Sequence, residues 1–161
     1  MRCAIITGSF DPPTYGHKDI ISRTSAMFGR VVVCVLVNKE KACSMFSVSE
    51  RIALLEELCR EFPNVSVDFH EGLLADYVGK YEQPVIVRGL RGVSDMEYEF
   101  QMASINRKLD PRAETVFLPS DDKYSLLSSS AVRQLSRYEC DYSHFVPPCV
   151  EAAIKAKKAQ P

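Results

Sequence analysis

The sequence predicts a three-layer α/β domain in which helices cover both faces of a parallel sheet. Three observations lead to this fold class: five short apolar or alternating runs of strand length, helical segments between them, and a polar cluster after each run. Continuous Val/Ile/Leu runs are typical of strands buried on both faces of a parallel sheet. Strands that alternate with helices imply right-handed crossovers. No repeat, low-complexity segment or linker divides the chain, so we expect one domain over residues 1–161.

The elements follow in order along the chain. The predicted strands cover residues 3–7, 31–37, 65–69, 84–87 and 115–118. Capping residues mark the helix starts, because a side-chain oxygen at the N-cap satisfies a free backbone N–H of the first turn. The first predicted helix ends near Phe28 and the third near Leu109. The predicted caps are Thr14, the capping box of Ser47 with Glu50, and the capping box of Ser94 with Glu97.

Polar clusters follow all five predicted strands. Because the carboxyl ends of parallel strands meet at one edge of the sheet, and ligands bind there in open α/β sheets, we expect one shared pocket. The clusters cover residues 8–17, 38–41, 72–74, 88–91 and 121–130.

Composition excludes several classes of function. The net charge of -1 argues against broad nucleic-acid binding, which needs a basic excess or stripe. No apolar stretch approaches the roughly 20 residues that span a bilayer, and the N-terminus has no signal-peptide pattern, so we expect a cytoplasmic protein without membrane contact. The six cysteines form no Cys-x-x-Cys pair or zinc pattern. Reduced, mostly buried thiols are favoured over disulfides.

The most informative segment is the polar decapeptide of residues 8–17, which follows the first strand. Gly8 can take backbone angles closed to other residues, and Thr14 is placed to cap the next helix. His17 lies in the first turn of that helix, where free N–H groups and the positive dipole end favour a phosphate. The alternative is a glycine-bracketed turn with an incidental histidine.

This decapeptide resembles the signature of the nucleotidylyltransferase superfamily, in the element Thr14-Tyr15-Gly16-His17. Residues 8–12 resemble phosphopantetheine adenylyltransferase most, although Ser9 stands where that family usually has threonine. The resemblance implies a Rossmann-like sheet in the order 3-2-1-4-5, ATP and 4'-phosphopantetheine as substrates, Mg²⁺ bound through the ATP phosphates, and a homohexamer.

A second element brings Arg88 and Arg91 to the end of the fourth strand. A planar guanidinium matches phosphate oxygens, but paired arginines are also commonly solvated or bridged to acids, and an Asp-x-Glu-Tyr-Glu run follows here. The whole element resembles the same family. The resemblance implies that Arg88 contacts the phosphopantetheine phosphate, that Gly89, Leu90 and Arg91 contact ATP, and that Glu99 contacts the nucleotide.

A third element is the serine-rich segment of residues 124–130. Serines at a helix start often act only as caps, but their hydroxyl and N–H donors can also face an anion. The segment resembles the family's Ile-Ser-Ser-Ser motif, which implies that Ser129 and Ser130 hold ATP phosphates. Two departures are Tyr124 in place of the usual tryptophan and a different composition of residues 118–122.

The fourth element, residues 38–46, aligns less closely with the family's lysine loop. We assign the phosphate-binding role to Lys41, with Lys39 as the alternative, and expect Cys43 to be the most reactive thiol because a cation lies two residues away. Leu73 and Leu74 would contact the pantetheine arm, although core leucines would have the same pattern.

The expected mechanism needs no general base or covalent nucleophile, because the attacking phosphate is already ionised, and His17 would act as a neutral donor. The alternatives are adenylylation of nicotinate mononucleotide or a polyol phosphate, and a non-catalytic nucleotide-binding domain. The residues expected in catalysis are His17, Ser9, Lys41 and Arg88. Those expected to bind the acceptor are Ser9, Lys41, Leu73, Leu74 and Arg88. Those expected to bind ATP are Ser9, Phe10, His17, Gly89, Leu90, Arg91, Glu99, Tyr124, Ser125, Leu126, Leu127, Ser128, Ser129 and Ser130, with no residue assigned as a metal ligand.

Overall fold

The computed structural model describes residues 2–37 and 44–159, with Ser94 described by its backbone alone. Five strands form one sheet in the order β3-β2-β1-β4-β5, and every neighbouring pair is parallel. This arrangement confirms the predicted α/β fold and its strand order. The strands are β1 (Cys3–Gly8), β2 (Arg30–Val37), β3 (Val65–Glu71), β4 (Pro84–Leu90) and β5 (Glu114–Pro119).

Helices follow each strand and complete the layers. No helix in the described part of the chain combines the length and the apolar character needed to cross a membrane. The helices are α1 (Tyr15–Met27), α2 (Val48–Cys59), α3 (Leu74–Val78), α4 (Val93–Leu109), α5 (Ser129–Arg137) and α6 (Pro148–Lys158), with a short 3-10 helix at Asp122–Tyr124.

The central strands are buried on both faces of the sheet, as their unbroken apolar runs predict. Ile6 and Val33 point to the face covered by α1 and α2, whereas Ile5 and Val32 point to the face that packs against Tyr77 of α3. Because successive side chains alternate across a strand, each run contributes to two cores. Burying one such side chain stabilises the folded state by about 1.5–3 kcal/mol, so the burial of these strands contributes strongly to the stability of the sheet.

Two of the three predicted helix starts are confirmed, and one is wrong. Thr14 caps α1, and Ser47 forms a capping box with Glu50 at α2. The N-cap of α4 is Gly92, two residues before the predicted cap Ser94, so Ser94 lies within the first turn. Glycine is tolerated at an N-cap without a side-chain hydrogen bond, so the helix can begin earlier than the predicted cap.

Strand β4 is longer than its apolar run. Pairing with β5 continues from Val85 to Leu90, so Arg88 lies inside the strand rather than in the loop after it. Its neighbour across the sheet is Phe117. The backbone of a strand therefore holds Arg88 at the edge of the sheet, beside the end of β1.

Candidate active site

A polar cavity of about 570 Å³ opens at the carboxyl ends of β1 and β4. Three of the predicted elements meet in it, although they are far apart in the sequence: the decapeptide, the arginine element and the serine-rich segment. The predicted residues that line the cavity are Ser9, Phe10, His17, Arg88, Gly89, Arg91, Glu99, Tyr124, Leu127, Ser128, Ser129 and Ser130.

His17 is fixed at the start of α1 by a capping box of unusual composition. The Thr14 hydroxyl accepts from the His17 backbone N–H, and the Thr14 backbone N–H donates to His17 Nδ1 over 2.9 Å. A backbone N–H can only donate, so Nδ1 is the acceptor and the neutral ring carries its proton on Nε2. His17 thus takes the place that Glu or Gln usually fills in a capping box and keeps one N–H free to donate.

The imidazole of His17 stays neutral over the physiological pH range. The pKa of His17 is lowered to about 4, mainly by burial, with the positive charges of Arg91 and Arg88 acting in the same direction. A charged imidazole would lose hydration and be repelled by two guanidinium groups. The sequence predicted a neutral His17 from its place at a helix N-terminus, whereas in the structure burial and these two arginines lower its pKa.

Two of the arginines that line the cavity, Arg88 and Arg91, are paired with acids of α4. Arg91 Nε lies 2.8 Å from Asp95 Oδ2, and Arg88 forms two hydrogen bonds with Glu99, of 2.8 Å and 2.7 Å. The sequence left phosphate binding and ion pairing open as alternatives. The structure contains the ion pairs, in geometry that also faces the cavity.

Polar side chains hold the decapeptide against the neighbouring segments. The buried Asp11 carboxylate accepts the backbone N–H groups of Met45 and Phe46, both over 2.8 Å. Arg51 of α2 donates to the Ser9 carbonyl over 2.9 Å. The loop is therefore held by its own carboxylate and by a buried guanidinium, rather than by apolar packing alone.

Helix α5 is tied to the same loop from the other side. The Ser129 hydroxyl donates to the Pro12 carbonyl over 2.8 Å, and Arg133 donates to the Asp11 carbonyl and to the Ser130 hydroxyl. The N-cap of α5 is Ser128, so Ser129 and Ser130 begin the helix. Free N–H groups of a first helical turn favour an anion, and here they adjoin the loop that carries His17.

The backbone of the decapeptide differs in one respect from the prediction. Positive φ occurs at Phe10 (47°) and not at Gly8. Gly8 is constrained instead by space, because a Cβ there would lie 3.3 Å from the Phe10 ring. At Gly89 a Cβ would lie 3.0 Å from Ile20, so glycine allows α1 to pack closely on β4.

A second, mostly apolar cavity of about 620 Å³ adjoins the first. Leu73 and Leu74, which were predicted to contact the pantetheine arm, line this cavity together with apolar residues of α4 that the sequence analysis did not select. Their signal is weak, because α4 has no clear apolar stripe. The α4 residues that line it are Tyr98, Glu99, Met102, Ala103, Ile105, Asn106 and Leu109.

The two cavities share a wall. Thr7, Arg88, Tyr98 and Glu99 line both of them. Thr7 and Tyr98 were missed by the sequence analysis, although Thr7 ends the first apolar run and Tyr98 lies beside Glu99. A ligand with an apolar arm and a terminal phosphate would place the phosphate at this wall, next to the polar cavity.

Some predicted residues lie elsewhere. Leu90, Ser125 and Leu126 line neither of the two cavities, and the Leu126 side chain is 91% exposed. Lys39 and Lys41 fall outside the described residues, so their assignment stays a prediction.

Arg133 lines the polar cavity and was missed. Its position four residues after Ser129, at helical spacing, is the signal that could have identified it.

His70, at the end of β3, is partly buried rather than exposed. Its ring is partly buried against Tyr77, with ring centroids 5.2 Å apart, and Nε2 is buried without a hydrogen-bond partner among the described residues. Helix α3 brings Tyr77 over the end of β3, a contact that no local pattern reveals. His70 lines neither cavity.

Comparison with known proteins identifies the family. A family model for cytidylyltransferase-like proteins matches residues 5–135. Phosphopantetheine adenylyltransferases of Caldanaerobacter subterraneus subsp. tengcongensis and Alkaliphilus metalliredigens are each 48% identical over 157 residues, covering 98% of this chain and 98% and 99% of theirs. That of Staphylococcus haemolyticus is 46% identical over 154 residues, covering 96% and 95%.

A solved structure shares the fold. The crystal structure of a Vibrio parahaemolyticus protein, provisionally named a nicotinate-nucleotide adenylyltransferase, superposes with a TM-score of 0.70 and covers 96% of this chain and 92% of its own. At 19% identity this similarity shows the fold alone. With the full-length relatives, it follows that the chain belongs to the phosphopantetheine adenylyltransferase family, nucleotidyltransferases of coenzyme A biosynthesis.

Proposed function

We propose that the protein transfers the adenylyl group of ATP to 4'-phosphopantetheine, giving dephospho-coenzyme A and pyrophosphate in the penultimate step of coenzyme A synthesis. The observation that carries this proposal is the wall of Thr7, Arg88, Tyr98 and Glu99 between a polar and an apolar cavity. The apolar cavity suits a pantetheine arm and the polar cavity suits a nucleoside triphosphate. The relatives named above support the same pair of substrates.

In this proposal ATP occupies the polar cavity. Arg91 and the first turn of α5 would hold the phosphates that leave as pyrophosphate, because a guanidinium and free backbone N–H groups stabilise negative charge. Ser129 and Ser130 begin that helix. The acceptor arm would contact Leu73 and Leu74 in the apolar cavity, with its phosphate towards Arg88.

The phosphate of the acceptor would attack the α-phosphorus of ATP in line, forming the new P–O bond as the bond to pyrophosphate breaks. This phosphate is ionised near neutral pH, so no general base is needed and positioning supplies most of the rate. His17 would donate a hydrogen bond from Nε2–H to an oxygen of the transferring group, and the proton would stay on the ring. Ser9 and Arg88 would stabilise the same charge.

Magnesium would enter with ATP, as part of the substrate. Among residues 2–37 and 44–159, no group of three or more His, Cys, Asp or Glu side chains is placed to hold a metal ion. The donors that line the polar cavity suit phosphate oxygens instead, which is the arrangement expected when phosphates carry the Mg²⁺. The ion would neutralise phosphate charge.

Self-association into a homohexamer is part of the proposal. Helix α4 exposes large apolar side chains, among them Val93 (84%), Tyr98 (61%) and Leu109 (56%). Such a surface favours burial against a further protein chain. Light scattering coupled to gel filtration tests this directly, with a mass of about six times 18.1 kDa expected. A cytoplasmic location stays a prediction from the sequence.

The decisive experiment incubates the protein with ATP, Mg²⁺ and one acceptor at a time: 4'-phosphopantetheine, nicotinate mononucleotide or a polyol phosphate. We expect adenylylated product and stoichiometric pyrophosphate only with phosphopantetheine. Efficient adenylylation of nicotinate mononucleotide without turnover of phosphopantetheine would contradict the proposal. Nucleotide binding without any turnover would instead favour the non-catalytic alternative.

A further inference from the structure

The Arg88 guanidinium is almost fully committed to protein partners. Nε and Nη2 donate to the two carboxylate oxygens of Glu99 over 2.8 Å and 2.7 Å, and Nη1 donates to the Thr7 carbonyl and, over 3.1 Å, to its hydroxyl. Arginine has five N–H donors. One N–H, on Nη2, therefore has no partner within the described residues.

Glu99 holds this geometry from a shielded position. Its side chain is 12% exposed and that of Arg88 is 28% exposed, so the pair is screened less than a surface ion pair. The two parallel hydrogen bonds fix the plane of the guanidinium as well as its distance. Strand β4 fixes one end of the pair and helix α4 fixes the other.

A carboxylate at this place opposes phosphate binding. Glu99 lines the wall at which both phosphate-bearing substrates of the proposed reaction would meet, and an uncompensated negative charge there would repel them. A freely moving Arg88 would pair fully with the acceptor phosphate before reaction. Such ground-state binding lowers KM without raising kcat.

We propose that Glu99 is a positioning residue that holds Arg88 in place between the two cavities, weakening ground-state phosphate binding and keeping one guanidinium N–H for the transferring phosphoryl group. The proposal rests on the proposed function for its catalytic part. It assigns Glu99 a role towards Arg88, whereas the family resemblance implies a contact with the nucleotide.

The test compares Glu99→Gln with Glu99→Asp. Gln removes the charge and one of the two acceptors, so Arg88 would be free to bind the phosphate. We therefore expect Kd for 4'-phosphopantetheine and for inorganic phosphate to fall about threefold or more. We expect kcat to fall about tenfold or more. Asp keeps the charge but is shorter, so kcat should fall without tighter binding. Glu97→Gln is the matched control, because Glu97 is exposed on the same helix, lines neither cavity and loses the same charge.

The outcomes decide the proposal. The proposal is overturned if Glu99→Gln binds phosphate as weakly as the unaltered protein or more weakly. It is also overturned if Glu99→Gln binds phosphate more tightly but has an unchanged kcat. Equal tightening in Glu97→Gln also overturns it, because the effect would then be one of net charge. Calorimetric Kd values for inorganic phosphate do not depend on turnover, so they test the restraint on Arg88 even if phosphopantetheine is not the acceptor.

A measurement on the unaltered protein covers the case in which Glu99→Gln fails to fold. The Nε–H of Arg88 gives its own NMR signal, assigned by its loss in Arg88→Lys. We expect this signal to persist with little change in shift when inorganic phosphate or 4'-phosphopantetheine is added, because Glu99 keeps the bond. Loss of the signal, or the shift of a released guanidinium, would overturn the proposal.

Discussion

The backbone N–H of Thr14 donates a hydrogen bond to Nδ1 of His17 across 2.9 Å. This bond stabilises the helix start and also selects the tautomer that leaves the Nε2 proton free. One side chain therefore has a structural and a chemical role, and the two roles can be separated by substitution.

We predict that His17→Ala lowers kcat by about a hundredfold or more, as the loss of a transition-state donor does. It also removes half of the capping box, so an unfolding free-energy loss of about 0.5–2 kcal/mol accompanies it. His17→Gln should recover part of the activity, because its amide reaches the place of Nε2. His17→Asn should recover stability but not activity, because its oxygen takes the place of Nδ1.

Steady-state kinetics and urea unfolding of these variants provide the check. Near-normal kcat in His17→Ala with a lower melting temperature would mean that His17 is only a cap. Equal recovery of activity by Asn and Gln would contradict the tautomer argument.

Titration of His17 by NMR should give a pKa of about 4, well below the ordinary value of 6.5. Between these values the unfolded chain binds more protons than the folded one. The free energy of unfolding therefore has its full value above pH 6.5, and the contribution of neutral His17 is lost as the pH falls through this window. Arg91→Ala should raise the pKa of His17, since one repelling charge is removed. A titration midpoint near 6.5 in the folded protein would contradict the burial and charge argument.

The fold could be predicted because local and tertiary preferences agree along most of the chain. The apolar runs of β1 and β2 are buried in the sheet centre, where continuous Val and Ile are required. The start of α4 was misplaced because Ser94 and Glu97 match a capping-box pattern, whereas the chain uses Gly92. The end of β4 was missed because pairing with β5 extends it past its apolar run.

The site was predictable as a set of segments but not as a set of contacts. Motifs brought His17, Arg91 and the serines of α5 to one cavity, since strand ends meet at one edge. The bonds from Arg133 to Asp11 and from Arg88 to Glu99 depend on how helices lie over the sheet. Spacing along the chain indicates which residues could come close together, but it does not tell which of them form these hydrogen bonds.

Cysteine reactivity should follow burial. Burial raises the pKa of Cys34 and of Cys59 to about 12, whereas Cys140 is exposed. Limited alkylation near pH 8 with peptide mass spectrometry should modify Cys140 well before Cys34 and Cys59, because the thiolate is the reactive form. Cys43, outside the described residues, is predicted from the sequence to react first and to be protected by ATP with phosphopantetheine. Early modification of Cys34 in the folded protein would contradict the argument.

The lysine assignment can be decided by paired substitutions. If Lys41 meets the transferring phosphoryl group, Lys41→Ala should lower kcat by about a hundredfold or more, and Lys39→Ala should change it only a few-fold. The reversed pattern would assign the role to Lys39. If neither change matters, the assignment of a catalytic lysine has to be withdrawn.

The Asp11 carboxylate gives the most direct test of how the decapeptide of residues 8–17 is held. This carboxylate is buried and accepts hydrogen bonds from the backbone N–H groups of Met45 and Phe46. In Asp11→Asn one of these two N–H groups would face an amide NH₂, which cannot accept its hydrogen bond. We predict a loss of about 1–3 kcal/mol in the free energy of unfolding, the cost of an unsatisfied buried donor.

Asp141→Asn is the control for this loss. Asp141 also accepts a backbone N–H, that of Ser143 over 2.8 Å, but its side chain is 67% exposed. Water can replace the lost bond there, so the change should stay within about 0.5 kcal/mol. Urea unfolding of both variants at pH 7 measures the difference. Equal losses would show that burial of the Asp11 carboxylate does not set its contribution to stability. The decapeptide would then have to be held mainly by Arg51 and Arg133, through the carbonyls of Ser9 and Asp11.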